Sequence, residues 1–276
     1  MSSRFKLEVL FTLTVMSVVS ILLLTTMTAR AHNQLQPIWN TTWGDTGYDY
    51  GLGVAVSGDI YLVGSTDYFG AGDAFLARYD GGGNQLWNTT WGGVGSDSGS
   101  GVAVGSDIYL VGSTSSFGAG GFDIFLAKYG VGGNQLWNTT WGGVGDDYGY
   151  GVAVGGGIYI TGYTSSFGAG GDDAFLAKYD GDGIQLWNTT WGGTSDDGGY
   201  GVAVGSDIYL VGSTSSIGAG YMDAFLVRYG FPPVGGIVFS TSPTGSLLYV
   251  AIALSIITLL FVAKIRRRIL RFFFSL

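Results

Sequence analysis

Trp137-Asn138-Thr139-Thr140-Trp141 is followed by Gly151-Val152-Ala153-Val154, then Ile158-Tyr159-Ile160-Thr161-Gly162, then Asp173-Ala174-Phe175-Leu176-Ala177-Lys178-Tyr179. Each segment is short and rich in Val, Ile, Tyr, Phe or Trp. Gly, Asp and Ser fill the spaces between. That pattern reads as strands joined by tight turns, about four strands in each ~50-residue unit. The unit is written four times. Trp39, Trp87, Trp137 and Trp187 open the same pentapeptide, at intervals of 48, 50 and 50 residues. The later segments recur at Gly53, Gly101, Gly151 and Gly201, at Ile60, Ile108, Ile158 and Ile208, and at Phe75, Phe125, Phe175 and Phe225. A repeat of this length with four strands predicts an all-β, four-bladed β-propeller-like array over residues 32–230.

Those same segments, with Asp180-Gly181 and Leu186-Trp187, resemble the SBBP-type beta-propeller repeat across residues 37–230. The resemblance implies a propeller carried by exported or surface proteins and implies no single activity. By analogy with other propellers, Gly-Val-Ala-Val is expected innermost, Ile-Tyr second, Phe-Leu third and Trp-Asn-Thr-Thr-Trp outermost. The chain then opens on an outer strand at Gln36–Trp43 and ends on a third strand at Ala224–Tyr229. Three arrangements follow from that permutation. The first segment completes the last blade, the array stays an open arc, or a homodimer completes the ring.

Composition narrows the function classes. There are 51 Gly and no Cys among 276 residues, and 15% are aromatic. The Gly has no every-third-residue period, which excludes collagen. Without Cys there is no disulfide scaffold, thiolate metal site or thiol nucleophile. The formal charge of −8 argues against nucleic acid as a partner. The average hides a segregation. Nineteen of the 20 acids are Asp between Asp45 and Asp223, against four basic residues there, a balance of −15. The remaining basic residues lie at the two ends.

Both ends read as membrane-directed. Arg4 and Lys6 precede an uncharged run from Val9 to Met27, and Ala29-Arg30-Ala31 supplies the small residues of a cleavage site. Residues 1–31 are therefore expected to be a signal peptide, with an uncleaved anchor helix as the alternative. Residues 246–263 carry no charge and no Pro. As a helix they would span about 27 Å, enough for one transmembrane crossing. The basic tail at 264–276 is then cytoplasmic by the positive-inside rule, which places the repeats outside the cell membrane. The linker, 231–245, reaches at most about 50 Å and keeps the array close to the membrane.

Asn40, Asn88, Asn138 and Asn188 each open Asn-Thr-Thr and match the N-glycosylation acceptor pattern. Strand alternation puts each Asn on the face opposite its tryptophans. Two further sets repeat. Asp49, Asp97, Asp147 and Asp197 lead into the inner strands, and Asp73, Asp123, Asp173 and Asp223 open the third strands. The expected topology puts both sets on the end with the longest loops, such as Ser113–Gly121. Carboxylates gathered there could hold Ca²⁺. The competing readings are turn-capping and pairing with the one basic residue per repeat, such as Lys128. Asp180-Gly181-Asp182-Gly183 is read as a hairpin turn. The paired tryptophans suit packing between blades, with sugar stacking as the alternative.

Enzyme chemistry finds little support. The one His is His32, at the start of the exported region, and that region holds no Glu. The expected function is binding, adhesion or envelope scaffolding through an extracellular face, with a protein or glycan ligand. An exported carbohydrate-binding or carbohydrate-active protein is the alternative, and no cofactor beyond Ca²⁺ is implied.

Overall fold

The computed structural model describes residues 11–21, 35–67 and 72–231. Residues 11–21 are helical. Among the described residues no helix is long and apolar enough to cross a membrane. The expected cleavage site, His32, the linker after residue 231, the 246–263 span and the basic tail lie outside the described residues.

Fifteen strands form four antiparallel sheets, one per repeat. The first blade is β1 (Asp49–Ser57), β2 (Asp59–Thr66), β3 (Asp73–Tyr79) and β4 (Gln85–Trp91). The second is β5 (Asp97–Val104), β6 (Ile108–Thr114), β7 (Asp123–Tyr129) and β8 (Gln135–Trp141). The third is β9 (Asp147–Val154), β10 (Ile158–Thr164), β11 (Asp173–Tyr179) and β12 (Gln185–Trp191). The fourth has only β13 (Asp197–Val204), β14 (Ile208–Thr214) and β15 (Asp223–Tyr229). Within every sheet neighbouring strands are consecutive in sequence. Connections of one to eight residues join them, too short for a crossover to a parallel strand, so neighbours run antiparallel. At the β11–β12 turn, Asp180 Oδ1 accepts the N–H groups of Asp182 and Ile184, and Gly183 adopts φ 83°. That is the hairpin expected there. The positive φ needs Gly.

Each blade packs face to face on the next. Alternation gives every sheet two apolar faces. On the first blade Tyr61, Val63, Ala74 and Leu76 point toward the second. There they meet Ile108, Leu110 and Phe125, with Val102 and Val104 at the edge. Tyr109, Val111, Ile124 and Leu126 repeat the arrangement against Ile158, Ile160, Phe175 and Val152. Tyr159 and Leu176 meet Ile208, Val202 and Val204 at the third interface. Inner strands approach closely because glycine lines them. A Cβ on Gly101 would come 2.5 Å from the Tyr150 carbonyl oxygen of the next blade.

The tryptophans extend this packing outward. Trp91, at the end of one outer strand, stacks on Phe125 of the next blade at 3.9 Å, and Trp141 stacks on Phe175 at 4.7 Å. Trp87 Nε1 donates to Val131 O and Trp137 Nε1 to Gly181 O, in the hairpin of the following blade. Their surface is committed to blade packing.

The opening segment corrects one expectation. Residues 36–43 form no strand and do not complete the fourth blade. They lie on the first blade, where Trp43 stacks on Phe75 and Trp39 Nε1 donates to Gly81 O. The physical reason is that these side chains repeat the contacts Trp87 and Trp91 make with the second blade. Blade packing is extensive only between sequence neighbours.

Candidate functional site

Strand register places both Asp sets at one end of the array. Asp147 sits opposite Thr164, and Thr164 opposite Asp173. The same triplet recurs as Asp97, Thr114 and Asp123 in the second blade and as Asp197, Thr214 and Asp223 in the fourth. The long loops share this end, and the hairpins near Asp107 and Gly132 occupy the other.

Among the described residues no three of these carboxylates converge. They pair across each blade boundary: Asp73 with Asp97, Asp123 with Asp147, Asp173 with Asp197. Both members of a pair press on one glycine. A Cβ on Gly142 would fall 2.0 Å from Asp123 Oδ1 and 2.6 Å from Asp147 Oδ2, and Gly92 and Gly192 repeat this. One oxygen of each inner Asp is used in a turn. Asp147 Oδ2 accepts Gly143 N–H at 2.8 Å and Ser166 Oγ–H at 2.7 Å. Asp97 and Asp197 do the same with Gly93 and Ser116, and with Gly193 and Ser216. Asp123 Oδ2 and Asp173 Oδ2 accept from Ala119 and Ala169. Turn-capping therefore accounts for half of each carboxylate. The Oδ1 atoms of Asp49, Asp73, Asp97, Asp147, Asp173 and Asp197 are buried without a hydrogen-bond partner.

Burial, reinforced by the neighbouring carboxylate, raises the pKa values of Asp73, Asp123 and Asp173 above the ordinary 3.8. In Asp197 burial is outweighed by hydrogen bonds from Thr214, Ser216 and Gly193, and its pKa falls. In the Asp173–Asp197 pair the third-strand Asp is thus the one that resists ionisation. Two buried carboxylates side by side call for a proton or a cation between them. The set fits Ca²⁺ in chemistry, being all oxygen, but among the described residues no three carboxylates or His converge. The basic residue of each repeat does not reach these pairs. Arg78, Lys128 and Arg228 instead bond Asp59, Asp107 and Asp207 at the hairpin end.

A second feature at the long-loop end breaks the repeat. Where the second blade has Ser98, Ser100 and Ser113, the third has Tyr148, Tyr150 and Tyr163. Their rings form a chain. Phe122 stacks on Tyr148 at 5.0 Å, Tyr148 meets Tyr163 at 5.0 Å, Tyr163 meets Tyr150 at 5.8 Å, and Tyr150 meets Tyr200 edge-on at 5.6 Å. A groove of about 140 Å³ opens beside them, lined by Tyr163, Asp172, Asp196, Tyr200 and Ser213. Burial, then the charges of Asp196 and Asp146, hold Asp172 above its ordinary pKa. A larger groove of about 470 Å³, with Tyr48, Tyr50, Asp67 and Phe122, lies between the first two blades. Aromatic faces beside carboxylates can stack on and hydrogen-bond to a ligand. The first blade has Tyr50 at the Tyr148 position and the fourth has Tyr200 at the Tyr150 position, so Tyr163 alone is peculiar to the third blade.

The four sequon asparagines, Asn40, Asn88, Asn138 and Asn188, are all exposed. In β4, Trp87, Thr89 and Trp91 are the more buried residues and Asn88 and Thr90 are exposed, as alternation requires.

No protein-family model matches the chain and no curated protein aligns with it.

Proposed function

We propose that this chain is a membrane-anchored surface protein whose blade array serves binding, adhesion or envelope scaffolding. The repeats face outward, a single span at 246–263 holds them, and the basic tail at 264–276 lies inside. The aromatic and acidic rim of the long-loop end is the contact surface. The observation that carries this reading is the cluster of Tyr148, Tyr150 and Tyr163 on one blade, beside Asp172 and Asp196. A repeat copied for packing alone has no need of it. The same chemistry favours a glycan as ligand, since pyranose rings stack on tyrosine faces and their hydroxyls donate to carboxylates.

The test uses the full-length protein on cells of its native host. Blade three is returned to the blade-two sequence with Tyr148→Ser, Tyr150→Ser and Tyr163→Ser. Binding to an extracellular glycan panel should fall at least about tenfold, the loss expected when about 1.4 kcal/mol of contact is removed. Equal binding by the variant removes the rim from the reading. External protease that leaves the repeats intact on whole cells overturns the topology. Substrate turnover that Asp172→Asn abolishes would favour the carbohydrate-active alternative.

A further inference from the structure

The array ends in two halves of an interface that it forms three times within itself. Leu76, Leu126 and Leu176 are at most 1% exposed because the next blade covers them, whereas Leu226, in the same position, is 71% exposed. Tyr209 and Val211 share that uncovered face. At the other end Val54 and Val56 are 64% and 72% exposed, although Val102, Val104, Val202 and Val204 pack at blade boundaries. Glycines record the same vacancy. A Cβ on Gly155 would come 2.7 Å from Val204 of the next blade, while one on Gly205 meets nothing within 4 Å.

Strand edges match as well as faces. Among the described residues β15 is a third strand with no fourth beside it. Residues 39–43 are a fourth-strand sequence with no sheet, already seated as an outer strand sits on the blade after it. Trp43 lies 3.8 Å from Phe75 as Trp91 lies 3.9 Å from Phe125. Trp39 donates to Gly81 O at 3.2 Å as Trp87 does to Val131 O at 3.2 Å. Asp49 presents a buried Oδ1 without a partner, and the pairing rule assigns it a third-strand Asp from a preceding blade. Asp223 is the third-strand Asp with no following blade.

We propose that two copies of this chain dock head to tail, the fourth blade of each on the first blade of the other, and close as a ring of eight blades. In each junction β15 takes residues 39–43 of the partner as its fourth strand. The β11–β12 register, Leu176 opposite Thr189 and Ala174 opposite Trp191, transposes to Leu226 opposite Thr41 and Ala224 opposite Trp43. Val54 and Val56 cover Tyr209, Val211 and Leu226, and Asp223 joins Asp49 as a fourth carboxylate pair. The partner is a second copy because the contacts required are those this sequence already makes with itself. Closure within one chain is disfavoured because, among the described residues, the first and fourth blades share no extensive contact and leave Val54, Val56 and Leu226 exposed. Eight blades lie within the range propellers adopt, and a two-fold ring removes both exposed edges.

The chain has no Cys, so introduced thiols report without background. Full-length Thr41→Cys and Leu226→Cys chains with different tags are co-expressed and oxidised. The expected result is a disulfide-linked pair carrying both tags, in about half of the protein, the share of mixed dimers that random pairing gives, and no linked pair from either variant alone. In the double variant Thr41→Cys/Leu226→Cys the linked species should stop at two chains. A link within one chain, a ladder beyond two, or no link at all overturns the proposal. Gly205→Val should cut the linked fraction at least tenfold with the β-sheet spectrum unchanged, because its side chain enters open space in one chain and Val56 in the ring. Full cross-linking by that variant overturns the docking register.

Discussion

The third and fourth blades carry nearly the same residues and live in different surroundings. Tyr159 and Leu176 are fully buried, while Tyr209 and Leu226 are exposed at equivalent positions. The strands form equally well in both, with the same register from Ile158↔Tyr179 to Ile208↔Tyr229. Local sequence therefore makes the blade, and position in the array decides whether the blade's apolar face is stabilising or exposed. An interior sheet is buried from two sides. A terminal one is stable only through the neighbour it has.

The sharpest way to break that contrast is to truncate the equivalent leucines. Leu176→Ala should cost about 2–5 kcal/mol, because it opens a cavity between two blades. Leu226→Ala in single chains should cost under about 0.5 kcal/mol, as at other exposed sites. Urea unfolding of dilute protein measures both. Equal losses would mean that Leu226 is covered within its own chain. Gly155→Ala and Gly205→Ala give the next contrast. The first forces a Cβ to within 2.7 Å of Val204 Cγ1, and overpacking of this kind costs about 1–3 kcal/mol. The second meets open space and should be neutral within about 0.5 kcal/mol. A destabilised Gly205→Ala single chain would argue that a neighbour already sits there.

Much of this was legible in the sequence because each blade is built from local contacts. Analogy with other propellers supplied the strand order, the alternation in Trp-Asn-Thr-Thr-Trp its buried and exposed faces, and Asp180-Gly181-Asp182-Gly183 its turn. Features that depend on two blades at once were not legible. Asp123 and Asp147 are 24 residues apart, and nothing along the chain says that they share Gly142. Gln36–Trp43 was readable as an outer strand, but which blade it covers is set by tertiary packing of Trp39 and Trp43. Tyr163 was visible only as a departure from its sister copies, and its contacts with Tyr148 and Tyr150 only in the fold.

The carboxylate pairs test the blade boundaries more gently. Burial and Asp147 hold the folded Asp123 pKa above 3.8, so the folded chain keeps that proton more tightly than the unfolded one. The stability from that proton is fully present below pH 3.8 and is lost as pH rises through the raised value. Asp123→Asn removes the charge and keeps an oxygen for Ala119 N–H. At pH 7 without divalent ions it should stabilise the protein by about 1 kcal/mol, or about 2–4 °C, and have no effect near pH 3. If Ca²⁺ occupies the pair, millimolar Ca²⁺ raises the wild-type midpoint and leaves the variant's unchanged. A variant less stable at pH 7 in EDTA would mean that the ionised pair is itself stabilising.

The smallest contrast lies at the hairpin end and again sets one blade against another. In the second blade Lys128 Nζ lies 3.0 Å from Asp107 and also sits over the Tyr109 ring. In the third, Gly157 stands where the other blades have Asp, so Lys178 keeps only its rings, Tyr159 at 5.2 Å and Phe231 at 5.9 Å. Lys128→Met retains the apolar stem and removes the ion pair, the hydrogen bond to Gly181 O and the charge over the ring. It should cost about 0.5–1 kcal/mol at low salt and less at 1 M salt, where the pair is screened. Lys178→Met loses the ring contact alone, so its cost should be smaller. Gly157→Asp would supply the missing carboxylate, yet Gly157 has φ 149° and its Cβ would come 2.6 Å from Lys178 Cε. Backbone strain should then outweigh the new pair and make that variant less stable than wild type. If it is instead more stable, the third blade's hairpin can relax into the form of its sisters, and its lost Asp reflects no constraint from the fold.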